Sequence, residues 1–121
     1  MTYNLRSKIW LEKENQKVFG DGPWDILKRI EQTGSIRKAA AEINMSYSQA
    51  WRLVRMIETN LGCAGLEKKA GGSGGGYSTL TPQAAKLTAA YGNFRSAAES
   101  SLDQLYQEHL ARIMLEGKSA E

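Results

Sequence analysis

Ser35-Ile36-Arg37-Lys38-Ala39-Ala40-Ala41-Glu42-Ile43, then Asn44-Met45-Ser46, then Tyr47-Ser48-Gln49-Ala50-Trp51-Arg52-Leu53-Val54-Arg55-Met56-Ile57-Glu58 is the stretch that decides the fold. It reads as two short helices meeting at a three-residue corner. Ser35 and Ser46 stand where a hydroxyl can accept a bond from an orphan N–H at each helix start. Ile36, Ala39, Ala40 and Ile43 fall on one helical face, and Ala50, Val54, Ile57 and Leu61 on another. Ala40 and Ala50 are small where steeply crossing helices must come close. Asn44 tolerates the left-handed backbone that a tight corner needs. An ordinary helical hairpin would share these features. A helix-turn-helix would go further and set its second helix, about residues 46–61, in the major groove of DNA.

Downstream, Leu61-Gly62-Cys63-Ala64-Gly65 stops the second helix. Leu66-Glu67-Lys68-Lys69 and Tyr77-Ser78-Thr79-Leu80 read as short strands on either side of Gly71-Gly72-Ser73-Gly74-Gly75-Gly76. That loop holds 5 of the 12 glycines, too many for a regular element. A phosphate-binding loop would need Lys-Ser/Thr and a helix straight after the last glycine. Tyr77 and a strand follow instead. The run is either a surface loop or the tip of a wing, residues 66–80, whose bare backbone at Gly74 can approach DNA. Thr81-Pro82 then opens a helix with no further proline. Tyr91, Phe94, Ala98, Leu102 and Leu105 recur at spacings of 3, 4, 4 and 3 along it, a seam for another helix. The seam is covered either by the chain's own first elements or by a second copy.

Upstream, Pro23 suits the first position of a helix in which Trp24, Leu27 and Ile30 share a face, with Lys28 and Arg29 solvated. Gly34 suits its C-terminal cap. Tyr3 to Glu12 alternate as a half-buried strand would, and Val18 and Phe19 suit a short returning one. Trp10, on the polar face of that strand, either packs across it or is covered by a second copy.

Size and charge narrow the function. The 121 residues are 41% hydrophobic and 24% charged, as in a soluble globular domain. No apolar run reaches membrane-span length and no signal-peptide core opens the chain, so a cytoplasmic protein with no membrane partner is expected. The single Cys63 fits a reducing compartment. His109 is the one histidine and lies far from Cys63. With no paired carboxylates or metal-ligand cluster in any motif, neither an enzyme nor a bound cofactor or metal is expected. Net charge is +3, and all of that excess lies between residues 35 and 70. Arg37, Lys38, Arg52, Arg55, Lys68 and Lys69 outweigh Glu42, Glu58 and Glu67 there. Phosphate neutralisation asks for such a placement. Base edges would be read by Gln49 against adenine and Arg52 against guanine, with Tyr47 near them. Ser46 and Ser48 suit phosphate contact, as do Arg37, Lys38, Arg55, Lys68 and Lys69.

The order strand, helix, helix-turn-helix, wing, long helix, with the words Thr33-Gly34-Ser35-Ile36, Ser46-Tyr47-Ser48-Gln49-Ala50-Trp51, Ala70-Gly71-Gly72-Ser73-Gly74-Gly75-Gly76 and Leu80-Thr81-Pro82, resembles the N-terminal DNA-binding domain of the ModE family of molybdate-responsive bacterial transcription regulators. More distantly it is similar to the winged domain of LysR-type regulators. The resemblance covers roughly Leu5 to Leu110. It implies a homodimer on an inverted-repeat operator, paired through the long helix at Tyr91, Phe94, Ala98, Leu102 and Leu105. Full ModE proteins carry C-terminal molybdate-binding domains; this sequence stops at Glu121, so molybdate binding is not expected from this chain alone. The expected fold is mainly α with a small β component: a winged helix-turn-helix over 1–81 and a dimerisation helix and tail over 82–121. A winged protein-interaction module, or an architectural DNA-binding protein without effector sensing, is the alternative.

Overall fold

The computed structural model describes residues 3–69 and 77–119. Its elements are the strands β1 (Trp10–Lys13) and β2 (Gln16–Gly20), the helices α1 (Asp21–Thr33), α2 (Ile36–Glu42) and α3 (Tyr47–Leu61), the strands β3 (Leu66–Lys69) and β4 (Tyr77–Leu80), and the helices α4 (Pro82–His109) and α5 (Ala111–Ser119). This is the mainly α winged arrangement with a long late helix that the sequence predicts. The glycine run, Gly74 included, lies outside the described residues.

The core sits on α1. Ile26, Leu27 and Ile30 have no exposed surface, and Phe19, Ile36, Ala39, Ala40, Ala50, Val54, Ile57 and Tyr91 complete the buried cluster. A side chain of this kind contributes about 1.5–3 kcal/mol when fully buried. The α1 stripe therefore fixes where α2, α3 and α4 rest. Gly34 caps α1 at φ +72 and returns its N–H to the Ile30 carbonyl. The same glycine's carbonyl accepts the Ser78 N–H at 2.9 Å, which pins β4 beside the start of α2. Pro23 is third in α1, not first, because Asp21 already occupies the first position, where its charge complements the helix N-terminus. Arg29 is not merely solvated. It bridges Asp25 at 3.0 Å and Glu42 at 2.9 Å, joining α1 to α2. Glu42 first and Asp25 second hold its pKa above the ordinary value.

The N-terminal segment departs from its alternating pattern. Pairing starts only at Trp10, in a hairpin turned by Glu14 and Asn15 at φ 53 and 64, the left-handed pair of a two-residue hairpin turn. β2 has five residues and nothing for residues 3–9 to pair with. That segment lies along α4 instead. Arg95 donates to the Ser7 carbonyl at 2.8 Å and to Ser7 Oγ at 3.2 Å, and pairs with Asp21 at 3.1 Å. Trp10 stays exposed, its indole donating to Glu12.

Thr81 caps α4 by accepting the Ala84 N–H, and Pro82 is its first residue. Ala84, Thr88 and Tyr91 are buried. Tyr91 is thus a core residue, not a free seam position. Its ring meets Phe19 edge-on at 5.1 Å and Trp24 at 5.6 Å. Its hydroxyl donates to Asp21 Oδ1 at 2.6 Å, with the Ile9 carbonyl a second acceptor at 3.0 Å. Gly92 packs on the Trp24 ring, where a Cβ would lie 3.4 Å from Cζ2 and make ordinary contact; the Trp24 indole donates to the Thr88 carbonyl at 3.1 Å. Past this zone Phe94 is 53% and Leu105 48% exposed, and Ala98 and Leu102 are half-buried. Among the described residues no helix is long and apolar enough to cross a membrane.

Burial and the Asp21 hydrogen bond raise the Tyr91 pKa from 10.0 to about 12. The fold favours the neutral phenol, so this contribution is complete below pH 10 and is lost as pH climbs toward 12. Tyr91→Phe keeps the ring and removes the hydroxyl. It should cost about 1 kcal/mol near neutral pH, and its deficit relative to wild type should shrink above about pH 10. Denaturant titrations of both proteins across that range check this; a deficit independent of pH would place the hydroxyl outside the balance.

Candidate nucleic-acid interface

The helix pair is capped as its serines require. Ser35 Oγ accepts the Lys38 N–H at 3.1 Å. Ser46 Oγ accepts the Gln49 N–H at 3.1 Å while Gln49 Oε1 accepts the Ser46 N–H at 3.0 Å. That reciprocal pair is a capping box. Asn44 takes φ 55 at the corner, and Ala39, Ala40 and Ala50, each at most 1% exposed, let α2 and α3 cross closely.

With Ala50, Val54 and Ile57 buried, α3 turns Ser48, Gln49, Arg52, Arg55 and Met56 outward. Arg52 lies beside Gln49, Leu53 and Met56 along a shallow surface groove. This is the face the sequence assigned to base contact, with one change in chemistry. The Gln49 carbonyl is engaged in the capping box, so it can take up adenine only by sharing or giving up the Ser46 N–H. Met56, 49% exposed, and Leu53 complete the stripe; their placement escaped the sequence because a helical period marks the deep face but not how far its flanks reach into solvent.

The wing is tied at its base by three hydrogen bonds, two of them through side chains. Gly65 N–H donates to Glu58 Oε2 at 2.8 Å, Thr81 N–H to the Gly65 carbonyl at 2.9 Å, and Thr81 Oγ1 to the Ala64 carbonyl at 2.8 Å. β3 and β4 pair antiparallel from Leu66↔Leu80 to Lys69↔Tyr77. Lys68 is thereby carried up to α3. Its Nζ stands 4.4 Å from the Trp51 ring centroid, and Arg55 stacks on the same ring at 5.4 Å. Arg37 of α2 stands 4.4 Å over the Tyr47 ring, which meets Trp51 edge-on at 6.3 Å. Trp51 is half-buried, its ring forming a floor for cations. Lys38 is exposed on α2, and Lys69 ends β3. The structure so brings Arg37, Tyr47, Arg55 and Lys68 together, with Ser48, Gln49 and Arg52 on the adjoining outer face. Cys63 is a half-buried free thiol beyond the end of α3, and His109 is exposed at the end of α4.

The chain is similar in sequence to several known proteins. It is 42% identical over 67 residues to the molybdenum-pterin-binding protein MopB of Rhodobacter capsulatus, which is 55% of this chain and 25% of that protein. It is 36% identical over 83 residues to the molybdenum transport protein ModE of Herbaspirillum seropedicae, covering 69% of this chain and 30% of that one. It is 32% identical over 100 residues to the transcriptional regulator ModE of Yersinia pestis, covering 81% and 38%. The chain therefore matches well under half the length of these relatives, in keeping with a ModE-like N-terminal region. Residues 24–85, running from α1 through the wing into the start of α4, match the bacterial regulatory helix-turn-helix proteins of the lysR family, and the chain belongs to that family.

Proposed function

We propose that this chain is the DNA-binding part of a transcription regulator and works as a homodimer on an inverted-repeat operator. α3 would lie in the major groove and the wing on the flanking backbone. The observation that carries the reading is the outer face of α3. Its N-terminal turns expose Ser48, Gln49 and Arg52 in one patch, and cations from α2, α3 and β3 border it. Arg52 would pair with guanine, because its guanidinium presents two parallel donors to O6 and N7. Ser46, Ser48, Arg37, Lys38, Arg55, Lys68, Lys69 and the Gly74 backbone would contact phosphate and sugar and set the register. ModE, MopB and lysR-family relatives support a regulator over an enzyme.

The helix from residue 82 would serve two ends. Its first turns close the core of the binding unit at 1–81, through Ala84, Thr88 and Tyr91. Its later turns would offer Phe94, Ala98, Leu102 and Leu105 to a second copy. Those four remain partly or largely exposed in the single chain, and a helix of 28 residues is about 42 Å long, more than this small core can cover.

Selection from a randomised pool of duplex DNA tests the reading. A two-fold symmetric motif with half-sites about one helical turn, or a multiple, apart is expected. Salt-sensitive binding without a motif would indicate the architectural alternative, and no binding at low salt would indicate a protein-interaction module. Arg52→Ala should cost about 1–3 kcal/mol at one position of the motif and relax preference there; an equal loss on every sequence would make Arg52 a phosphate contact. Leu105→Asp lies far from the core and should weaken self-association at least about tenfold in sedimentation equilibrium. An unchanged monomer–dimer balance would overturn the seam.

A further inference from the structure

The cations around α3 are held on aromatic faces, as Lys28 is on Trp24 and Lys17 on Trp10 elsewhere in the chain. Among the described residues, carboxylates engage Arg29, Arg95 and Arg112, but the cations of the helix–wing corner rest on aromatic faces. Arg37 lies on Tyr47, and Lys68 and Arg55 share Trp51. The difference matters chemically. A carboxylate orients a cation by neutralising it. A ring face orients it through the quadrupole and leaves its full charge for another partner. The nearest acid on α3, Glu58, is occupied by the Gly65 N–H.

The three cations come from three elements, and two of them, Arg37 of α2 and Lys68 of β3, line one cleft. Between the start of α2, the start of α3 and the wing lies an open cleft of about 260 Å³, lined by Ser35, Arg37, Tyr47, Lys68, Tyr77 and Ser78. Its lining offers a guanidinium, an ammonium and several hydroxyls, all of which donate to anionic oxygen. Tyr47 and Trp51 stand one turn apart on α3, with Arg55 one turn further, so one helix face carries both ring platforms and a cation.

We infer that Trp51 is a positioning residue: with Tyr47 it presets Lys68 and Arg37 at this cleft, where they take a backbone phosphodiester of the bound strand together. The inference rests on the DNA-binding reading above and adds to it what fixes the wing. Holding flexible side chains in place before binding lowers the ordering cost of the complex. Trp51 thus raises affinity without contacting DNA and without adding charge.

The test uses the full chain and the duplex motif recovered by selection. In the free protein, the ε-methylene protons of Lys68 should be shifted upfield by the Trp51 ring current, and the shift should vanish in Trp51→Leu. Trp51→Leu should bind about fivefold more weakly on specific and non-specific duplex alike, with an unchanged salt slope, and Trp51→Phe should restore most of the loss. Lys68→Met should reduce the slope of log K against log salt by about 0.9. In the Lys68→Met background Trp51→Leu should cost little more, since its effect passes largely through Lys68. Full, independent losses from the two substitutions, or wild-type binding by Trp51→Leu, would overturn the inference. Should Trp51→Leu prove unfolded by thermal melting, the Lys68→Met slope and the wild-type ring-current shift decide it, and the absence of either overturns it. If wild type binds no duplex at low salt, the DNA reading fails and the inference falls with it, a result set apart by a ring-current shift that persists in the free protein.

Discussion

The fully buried stripe of α1, Ile26, Leu27 and Ile30, is the constraint on which the rest of the structure depends. Every larger element seats on it or on a neighbour that does. Because that stripe is dry and close-packed, the elements around it cannot slide independently. The corner between α1 and α2 transmits this rigidity to the wing. Gly34 ends α1, lets the chain turn into α2, and offers its carbonyl to Ser78. One left-handed residue therefore sets both the angle of the helix pair and the position of β4. At its crossing with α2, α3 meets small buried side chains, Ala39, Ala40 and Ala50, which permit a close approach.

A second knot joins the far side. Asp21 receives both the Tyr91 hydroxyl and the Arg95 guanidinium, and the same two side chains reach the backbone of Ile9 and Ser7. The N-terminal segment, the start of α1 and the third and fourth turns of α4 are thus tied by one carboxylate and two long side chains. Arg95 is mostly covered, at 13% exposed, so its charge is held in a partly dry setting where pairing matters more than at an open surface. The knot stands where α4 leaves the core. It aims the free part of the helix, and any partner gripping that part would be aligned with the α3 face through α1.

Much of this was legible in the sequence, and for local reasons. Ser35, Ser46, Asn44, Gly34, Gly62 and Thr81-Pro82 each do what their own backbone chemistry favours, so the helix boundaries, the corner and the strands of the wing follow without knowledge of tertiary contacts. The misses share the opposite character. Tyr91 has the same helical spacing as Phe94 and Ala98, and only the arrival of Phe19 and Trp24 from earlier in the chain separates core from seam. Arg29 reads as a surface cation until α2 brings Glu42 within reach. Residues 3–9 alternate well enough for a strand but find no partner strand, and pairing, not alternation, makes one. Trp51 sits at the edge of the buried face, and its use depends on a lysine seventeen positions away that a hairpin delivers.

The interface also holds a conflict between stability and recognition. The Gln49 carbonyl completes the capping box of α3, yet the same side chain faces the proposed groove. A capping interaction of this class is worth about 1 kcal/mol, comparable with the lower end of what one two-point base contact contributes to discrimination. Breaking the box to read adenine would return little. Keeping it fixes the first turn of α3 and leaves the amide nitrogen of Gln49 free to donate outward. Arg52, one turn on and outside any cap, has no such obligation. On these magnitudes the division of labour along α3 is set by the helix itself: its capped first turn is suited to position, and the two turns after it, where Arg52 and then Met56 emerge, to discriminate.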